Sequence, residues 1–185
     1  MQAAYAVDAG LATPWQALVG PRPDRMILAV GGRYAPWMTT EPWRLLSSLF
    51  VHIDVGHLGV NALAAAGLSR AGARRVPGWG WALTFLLAGV AGGGLADAMG
   101  VVRSAGASGG LHGWLALLAV EPRLRRPVLA SAVGSLALSL VVPAIDLGAH
   151  AGGLAVGVVA AALSVGVGRD GARPGDGACA DVEAG

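Results

Sequence analysis

The feature that most constrains the fold is a series of apolar segments between residues 45 and 168. Hydrophobic residues make up 55% of the 185 residues and charged residues only 13%, which is unusual for a water-soluble domain. A helix needs about 20 mainly apolar residues to cross a bilayer. The sequence therefore predicts an all-α integral membrane protein with five helices, which fall in Leu45–Leu68, Trp79–Ala98, Ala107–Val120, Pro127–Val142 and Leu147–Gly168.

The segments that flank this apolar region differ from it in composition. Residues 1–44 contain five prolines and no apolar run of spanning length, so we expect an N-terminal segment and an outer loop there. Residues 45–168 are predicted to form a single transmembrane domain. Residues 169–185 are rich in Gly, Asp and Ala, which predicts a disordered polar tail. Asp54 can cap a helix that begins at Val55.

Clusters of arginine indicate how the predicted bundle is oriented. They follow the first, third and fifth predicted helices, and basic clusters mark the cytoplasmic side of a membrane protein. These arginines are Arg70, Arg74 and Arg75, then Arg123, Arg125 and Arg126, then Arg169 and Arg173. Alternating helices then place Ser108, His150, His52 and His57 near the non-cytoplasmic face. Because the basic residues flank the membrane and the net charge is only +2, nucleic-acid binding is not indicated.

A serine and a histidine each stand near the start of a predicted helix. Ser108 lies between Gly106 and Gly109, and a serine hydroxyl is a poor nucleophile without a neighbouring base. His150 shares one helical face with Gly153 and Gly157. Glycine-lined faces let membrane helices approach backbone to backbone. Such packing would bring Ser108 and His150 within hydrogen-bond reach, as a catalytic dyad requires.

His57 and Asn61 are four residues apart and so lie on one face of the first helix. Both carry N–H donors, which can stabilise an oxyanion. Each feature alone also has a structural explanation: this pair could bond neighbouring helices, Ser108 could cap its helix, and His150 could be a structural histidine. The combination is far more specific than any one part.

These residues, in this order, resemble the rhomboid family of intramembrane serine proteases over residues 41 to about 168. The motifs that carry the resemblance are Trp43-Arg44, His52, His57 and Asn61, Gly106-x-Ser108-Gly109, and Ala149-His150-x-x-Gly153-x-x-x-Gly157. The resemblance implies that Ser108 is the nucleophile and His150 its general base, with no acidic third member. It implies an oxyanion hole formed by His57, Asn61 and the backbone N–H of Ser108. His52 and the Trp43-Arg44 pair would be structural, the pair within a loop lying partly in the outer leaflet.

Within the family, two stretches are most similar to rhombosortases: Pro42-Trp43-Arg44-Leu45-Leu46 and Ser108-Gly109-Gly110-Leu111-His112-Gly113. That subgroup is thought to cleave exported bacterial proteins near a C-terminal anchor containing Gly-Gly. His112 occupies the position, one turn after the serine, where many rhomboids carry an aromatic ring that packs on the catalytic histidine. The resemblance thus implies a membrane-anchored or transmembrane protein substrate, a bacterial inner membrane, and neither metal nor organic cofactor.

The chain departs from the family pattern in one respect. The family core has six helices, and the missing one would precede Trp43-Arg44. Either the chain begins at an internal start, which we favour, or it is a five-helix variant. Two other functions remain open: a catalytically silent rhomboid-like scaffold that binds transmembrane segments, and a small transporter or channel. No internal repeat supports the transporter. The natural substrate, the cleavage position and the oligomeric state are not indicated.

Overall fold

A computed structural model describes residues 22–72, 76–142 and 144–170, with side chains as far as residue 164. The N-terminal layer, residues 22–50, contains helix α1 (Asp24–Ala29), strand β1 (Arg33–Tyr34), a 3-10 turn (Ala35–Trp37), helix α2 (Arg44–Ser47) and a second 3-10 turn (Ser48–Phe50). The predictions for residues 1–21 and for the polar tail from residue 171 lie outside the described residues.

Five longer helices follow. They are α3 (Val55–Gly72), α4 (Gly78–Ala98), α5 (Ser108–Leu117) with a 3-10 extension (Leu118–Val120), α6 (Pro122–Val141) and α7 (Leu147–Asp170). Strand β2 (Arg103–Ser104) stands between α4 and α5 and pairs antiparallel with β1, Arg33 opposite Ser104. Both strands of this short ribbon lie outside the helices predicted from the sequence.

Three of these helices are long and apolar enough to cross a membrane singly. Within the described part of the chain they are Gly78–Ala98, Pro122–Val141 and Leu147–Ser164. A fourth candidate is the pair Arg44–Phe50 and Val55–Gly72, which is bent by 92°. Helix α5 with its extension is apolar but shorter. All five predicted helices form, so the prediction of an all-α helical membrane bundle is confirmed.

Two helix starts test the local reasoning. Asp54 caps α3 as predicted, since its Oδ1 accepts a 2.6 Å hydrogen bond from the backbone N–H of His57. The predicted start of α6 at Pro127 is wrong, because the helix begins five residues earlier at Pro122. Glu121 is its N-cap and Pro122 suits the first helical position, where no N–H is needed. The prediction placed the start at the first apolar run, and it therefore left out the arginine-rich first turn of the helix.

The centre of the bundle is built from α4, α5 and α7, whose backbones touch. A Cβ atom added at Gly92 would lie 2.5 Å from the carbonyl oxygen of Ala149. One added at Gly153 would overlap the carbonyl oxygen of Gly109, and one at Gly157 that of Gly113. Small residues therefore set the spacing of these helices. Four residues further along α7, the contact lies four residues further along α5, so the two helices run parallel.

Helices α3 and α6 lie at the periphery of this three-helix centre. Only 11% of the spanning window of α6 is buried, against 39% for the windows of α4 and α7. The apolar side chains that α6 leaves exposed, such as Leu140 and Val141, suit contact with lipid. Of the 18 residues of α3, only Asn61 and Gly72 are buried. Both helices therefore flank the centre with most of their surface exposed.

Arg44 holds the N-terminal layer together. Its Nε donates to Glu41 Oε2 at 2.6 Å, and its Nη1 donates to the carbonyl oxygens of Leu28 at 2.6 Å and Gly32 at 2.9 Å. Its guanidinium carbon also lies 4.5 Å from the ring centroid of Trp43. Arg44 is buried while Trp43 is half exposed. A buried arginine with all these partners organises the loop around it.

Arg33 joins this layer to the bundle. It is 1% exposed and forms ion pairs with Asp97 at the end of α4 and with Asp146 before α7. The Asp146 contact is 3.5 Å long, an ion pair rather than a hydrogen bond. Nη2 of Arg33 also donates to the carbonyl oxygen of Val101 at 3.2 Å. No local sequence pattern marks Arg33 as a buried residue.

Candidate active site

Ser108 is the first residue of α5. The cap position is occupied by Ala107, and no side-chain cap hydrogen bond is present. The simple structural explanation for Ser108, a helix cap, therefore does not hold. Gly106, two residues earlier, has a φ of +131°, which favours glycine. Its backbone N–H donates to the carbonyl oxygen of Ser48 at 2.9 Å, which fixes the loop before the serine.

His150 lies in the first turn of α7 and is 8% exposed. Asp146 Oδ1 caps this helix by accepting a 2.9 Å hydrogen bond from the backbone N–H of Ala149. The same carboxylate pairs with Arg33, and among the described residues it makes no hydrogen bond to the His150 ring. That ring is bonded instead through Nδ1 to Ser139 Oγ on α6, at 3.0 Å.

His112 links the serine to the histidine. Its ring stacks on His150 with the ring centroids 3.9 Å apart and an interplanar angle of 18°. Its Nδ1 lies 2.7 Å from the carbonyl oxygen of Ser108, and its Nε2 lies 2.8 Å from Ser135 Oγ. Because a carbonyl oxygen only accepts, Nδ1 of His112 is the donor. One side chain thus touches both predicted catalytic residues.

The backbones of α5 and α7 meet beside these side chains. A Cβ atom at Gly109 would lie 3.2 Å from the carbonyl oxygen of Ala149, and one at Gly153 would lie 3.2 Å from Cβ of His112. The structure therefore brings the sequence neighbours of Ser108 and His150 into contact. No hydrogen bond joins the Ser108 hydroxyl to the His150 ring in the part of the chain that is described.

His57 reaches the same region from α3. A Cβ atom at Gly106 would lie 2.5 Å from Cε1 of His57, so this ring sits against the loop before Ser108. Its centroid is 5.2 Å from that of His52 in an edge-to-face arrangement. His57 Nδ1 and His52 Nε2 are buried without a hydrogen-bond partner among the described residues.

Asn61 is buried one turn further along α3. Its Nδ2 donates to the carbonyl oxygen of His57 at 2.9 Å, which uses one of its two N–H donors within its own helix. Asn61 and His52 also line an open cavity of about 640 Å³ between α3, α4 and α5. The rest of its wall is apolar and includes Leu58, Phe85, Leu111 and Trp114.

Two serines on α6 belong to this cluster, although sequence reasoning did not identify them. Ser135 and Ser139 are four residues apart, so they share one face of α6, and each bonds one of the two stacked histidines. A pair of hydroxyls at this spacing in a membrane helix is a detectable signal. Polar residues of such helices generally face a partner or a cavity.

Comparisons with known proteins agree with this architecture. The family model for the Rhomboid domain matches residues 39–166. Over 123 residues the chain is 32% identical to the protein named "Rhomboid protease GluP" of Bacillus subtilis (strain 168). The match covers 62% of this chain and 24% of that relative, so the chain spans about a quarter of the relative's length.

Proposed function

The chain belongs to the rhomboid family, and from this we propose that it is an intramembrane serine endopeptidase. It is an integral membrane protein with three helices, or four with the bent pair, able to span a bilayer within its described residues. Its substrate is another transmembrane or membrane-anchored protein. Ser108 supplies the nucleophile and His150 the general base.

The reaction follows from the chemistry of these groups. Ser108 Oγ attacks the carbonyl carbon of the substrate peptide bond while its proton moves to Nε2 of His150. The carbonyl oxygen becomes an oxyanion, which accepts hydrogen bonds from the Ser108 backbone N–H, His57 and Asn61. When the C–N bond breaks, His150 returns the proton to the leaving amine. Water then hydrolyses the Ser108 ester by the same steps and frees the enzyme.

The observation that carries this proposal is the position of His112. It stacks on His150 and donates to the carbonyl oxygen of Ser108, so the candidate base is held against the first turn of α5. The Ser108 side chain is not used as a helix cap. A hydroxyl that is not used as a cap, on the helix turn against which the imidazole is held, is the arrangement from which a serine–histidine dyad can form.

The contacts around His57 support its place in the oxyanion hole. It lies against the glycine loop that leads to the Ser108 N–H, and one Asn61 N–H remains beyond the bond to the His57 carbonyl. His52 packs on His57 and supports it. Trp43 and Arg44 stabilise the N-terminal layer, in which the carbonyl oxygen of Ser48 accepts the hydrogen bond from Gly106 before Ser108.

The proposed substrate is an exported bacterial protein with a C-terminal anchor that contains Gly-Gly. A peptide bond inside a helix is shielded from attack, and glycines weaken a helix enough for local unwinding. The similarity of residues 42–46 and 108–113 to rhombosortases supports this substrate class. The distribution of arginines supports an active site near the non-cytoplasmic face of the inner membrane.

Activity-based labelling tests the serine chemistry. Isolated membranes containing the wild-type chain are treated with a fluorophosphonate probe, alongside Ser108→Ala, His150→Ala and the control Ser104→Ala, which removes a serine from β2. We expect labelling of the wild type and the control, and none of the other two. If the folded wild type does not label, the protease proposal fails and the scaffold function takes its place.

A reporter tests the substrate class. Two anchored reporter proteins, one with Gly-Gly before the anchor helix and one with Leu-Leu there, are expressed with the wild type or with Ser108→Ala. Cleavage of the Gly-Gly reporter only, and only by the wild type, is the expected result. Equal cleavage of both reporters would reject the Gly-Gly preference and leave the protease assignment intact.

A further inference from the structure

Ser139 differs from its neighbours on α6. This helix is largely exposed along its length, with Leu138 48% and Leu140 72% exposed, whereas Ser139 is 7% exposed. Its hydroxyl lies 3.0 Å from Nδ1 of His150 and 2.8 Å from the carbonyl oxygen of Ser135. The buried face of α6 at this point is therefore polar, and it is directed at the proposed catalytic base.

The two hydrogen bonds of Ser139 favour one position for the proton on His150. A hydroxyl has one proton, and the carbonyl oxygen of Ser135 can only accept, so the hydroxyl donates to that oxygen. Toward His150 the Ser139 oxygen is left as an acceptor. In this arrangement Nδ1 of His150 is the protonated nitrogen, and in a neutral ring Nε2 carries the free lone pair.

We propose that Ser139 is a positioning residue that holds His150 in the tautomer and ring orientation required of the general base. This inference rests on the proposed function. Ser139 does not touch the substrate or the reacting atoms; it acts through the His150 ring. It takes the place that an acidic residue occupies in a catalytic triad, where the group beyond the base fixes its tautomer. A neutral hydroxyl orients the ring without adding a charge to a buried site.

Among the residues that the structure describes, no side chain other than Ser139 is hydrogen-bonded to the His150 ring. Asp146, the carboxylate nearest in sequence, caps α7 and pairs with Arg33. One face of the His150 ring is covered by the stacked ring of His112. Ser135 bonds His112 from one turn earlier on α6, so the same helix face holds both rings of the stack. Stacking on His112 still allows the His150 ring to rotate within its own plane. The hydrogen bond to Ser139 restricts that rotation.

A pair of isosteric substitutions tests this role in the full-length chain in membranes. Threonine and valine have the same shape and differ in the hydroxyl, so Ser139→Thr and Ser139→Val share any steric cost. We expect kcat for a cleaved reporter, or the rate of fluorophosphonate labelling, to be about 10-fold or more lower in Ser139→Val than in Ser139→Thr, with KM changed little. Ser131→Val, at an exposed position on the same helix, should behave like the wild type.

A measurement on the unsubstituted protein is independent of how the variants fold. Nitrogen-15 NMR of histidine-labelled protein in bilayers, assigned by comparison with His150→Ala, should show a protonated Nδ1 and an unprotonated Nε2 for His150. The opposite tautomer, or equal kcat in the threonine and valine variants, would overturn the role of Ser139 and leave the protease assignment intact. A folded wild type that never labels would overturn both.

Discussion

At the scale of single residues, Gly106 has two separate reasons to be glycine. Its φ of +131° disfavours any side chain, and a Cβ there would lie 2.5 Å from the His57 ring. We predict that Gly106→Ala displaces His57 and abolishes fluorophosphonate labelling, while the backbone strain costs about 1–3 kcal/mol. Labelling and the thermal midpoint in detergent are measured together.

Gly100 provides a matched control for this prediction. It also has a positive φ, +78°, but a Cβ there would meet nothing within 4 Å. Gly100→Ala should therefore show the backbone cost without loss of labelling. If both substitutions reduce labelling equally, then the contact with His57 has no role in the chemistry and only the loop conformation matters.

Arg33 gives a prediction about stability. It is almost fully buried between two carboxylates, and removing one member of a buried ion group leaves the others without compensation. We expect Arg33→Met to reduce the free energy of unfolding by about 3–5 kcal/mol. Arg33→Lys, which keeps the charge, should lose less. An unchanged thermal midpoint in Arg33→Met would show that the ion pairs contribute nothing to stability.

The residues that sequence reasoning identified are those marked by local patterns. Ser108 lies among glycines, and His57 and Asn61 share a helix face, so spacing marked them as candidates and the family resemblance implied their roles. Arg33 and Ser139 were missed because their partners lie on other elements: Asp97 is 64 residues from Arg33, and His150 is on the helix that follows α6. Contacts of that kind depend on how the helices pack, which periodicity does not specify.

At the scale of elements, one glycine on α7 and one on α6 predict opposite effects of the same substitution. A Cβ at Gly153 would overlap the backbone of α5, which cannot move aside without separating the helices. We expect Gly153→Ala to destabilise the protein by about 3 kcal/mol or more. On α6, a Cβ at Gly134 would meet nothing within 4 Å, so Gly134→Ala should stabilise by about 0.5–1 kcal/mol through helix propensity.

Thermal unfolding of both variants in detergent checks this difference. Similar midpoints for Gly153→Ala and the wild type would mean that α5 and α7 are not in backbone contact.

The helices themselves were predictable because apolar length is a strong signal in a membrane protein. The start of α6 was not, since its first turn is polar and Pro127 suggested a later beginning. The β1–β2 ribbon has two residues a strand, too few to leave a pattern.

At the scale of the whole molecule, the single cysteine tests the proposed orientation. Cys179 follows the arginine cluster of the fifth helix, so we expect it on the cytoplasmic side. A membrane-impermeant maleimide should label it only after the membrane is permeabilised. In a Cys179→Ser background, Val102→Cys, at an exposed position between α4 and α5, should label in intact cells. The reverse pattern would place Ser108 near the cytoplasmic face.

The backbone contacts among α4, α5 and α7 have a mechanical consequence. Where main chain touches main chain, there are no side-chain rotamers to rearrange, so we expect the three helices to move together as one body. Any displacement that admits a bulky polypeptide must then come from the flanking helices α3 and α6. His57 and Asn61 lie on α3, and Ser139 lies on α6. Opening the molecule would thus separate these three side chains from the serine and histidine held in the rigid part, and closing it would reassemble them.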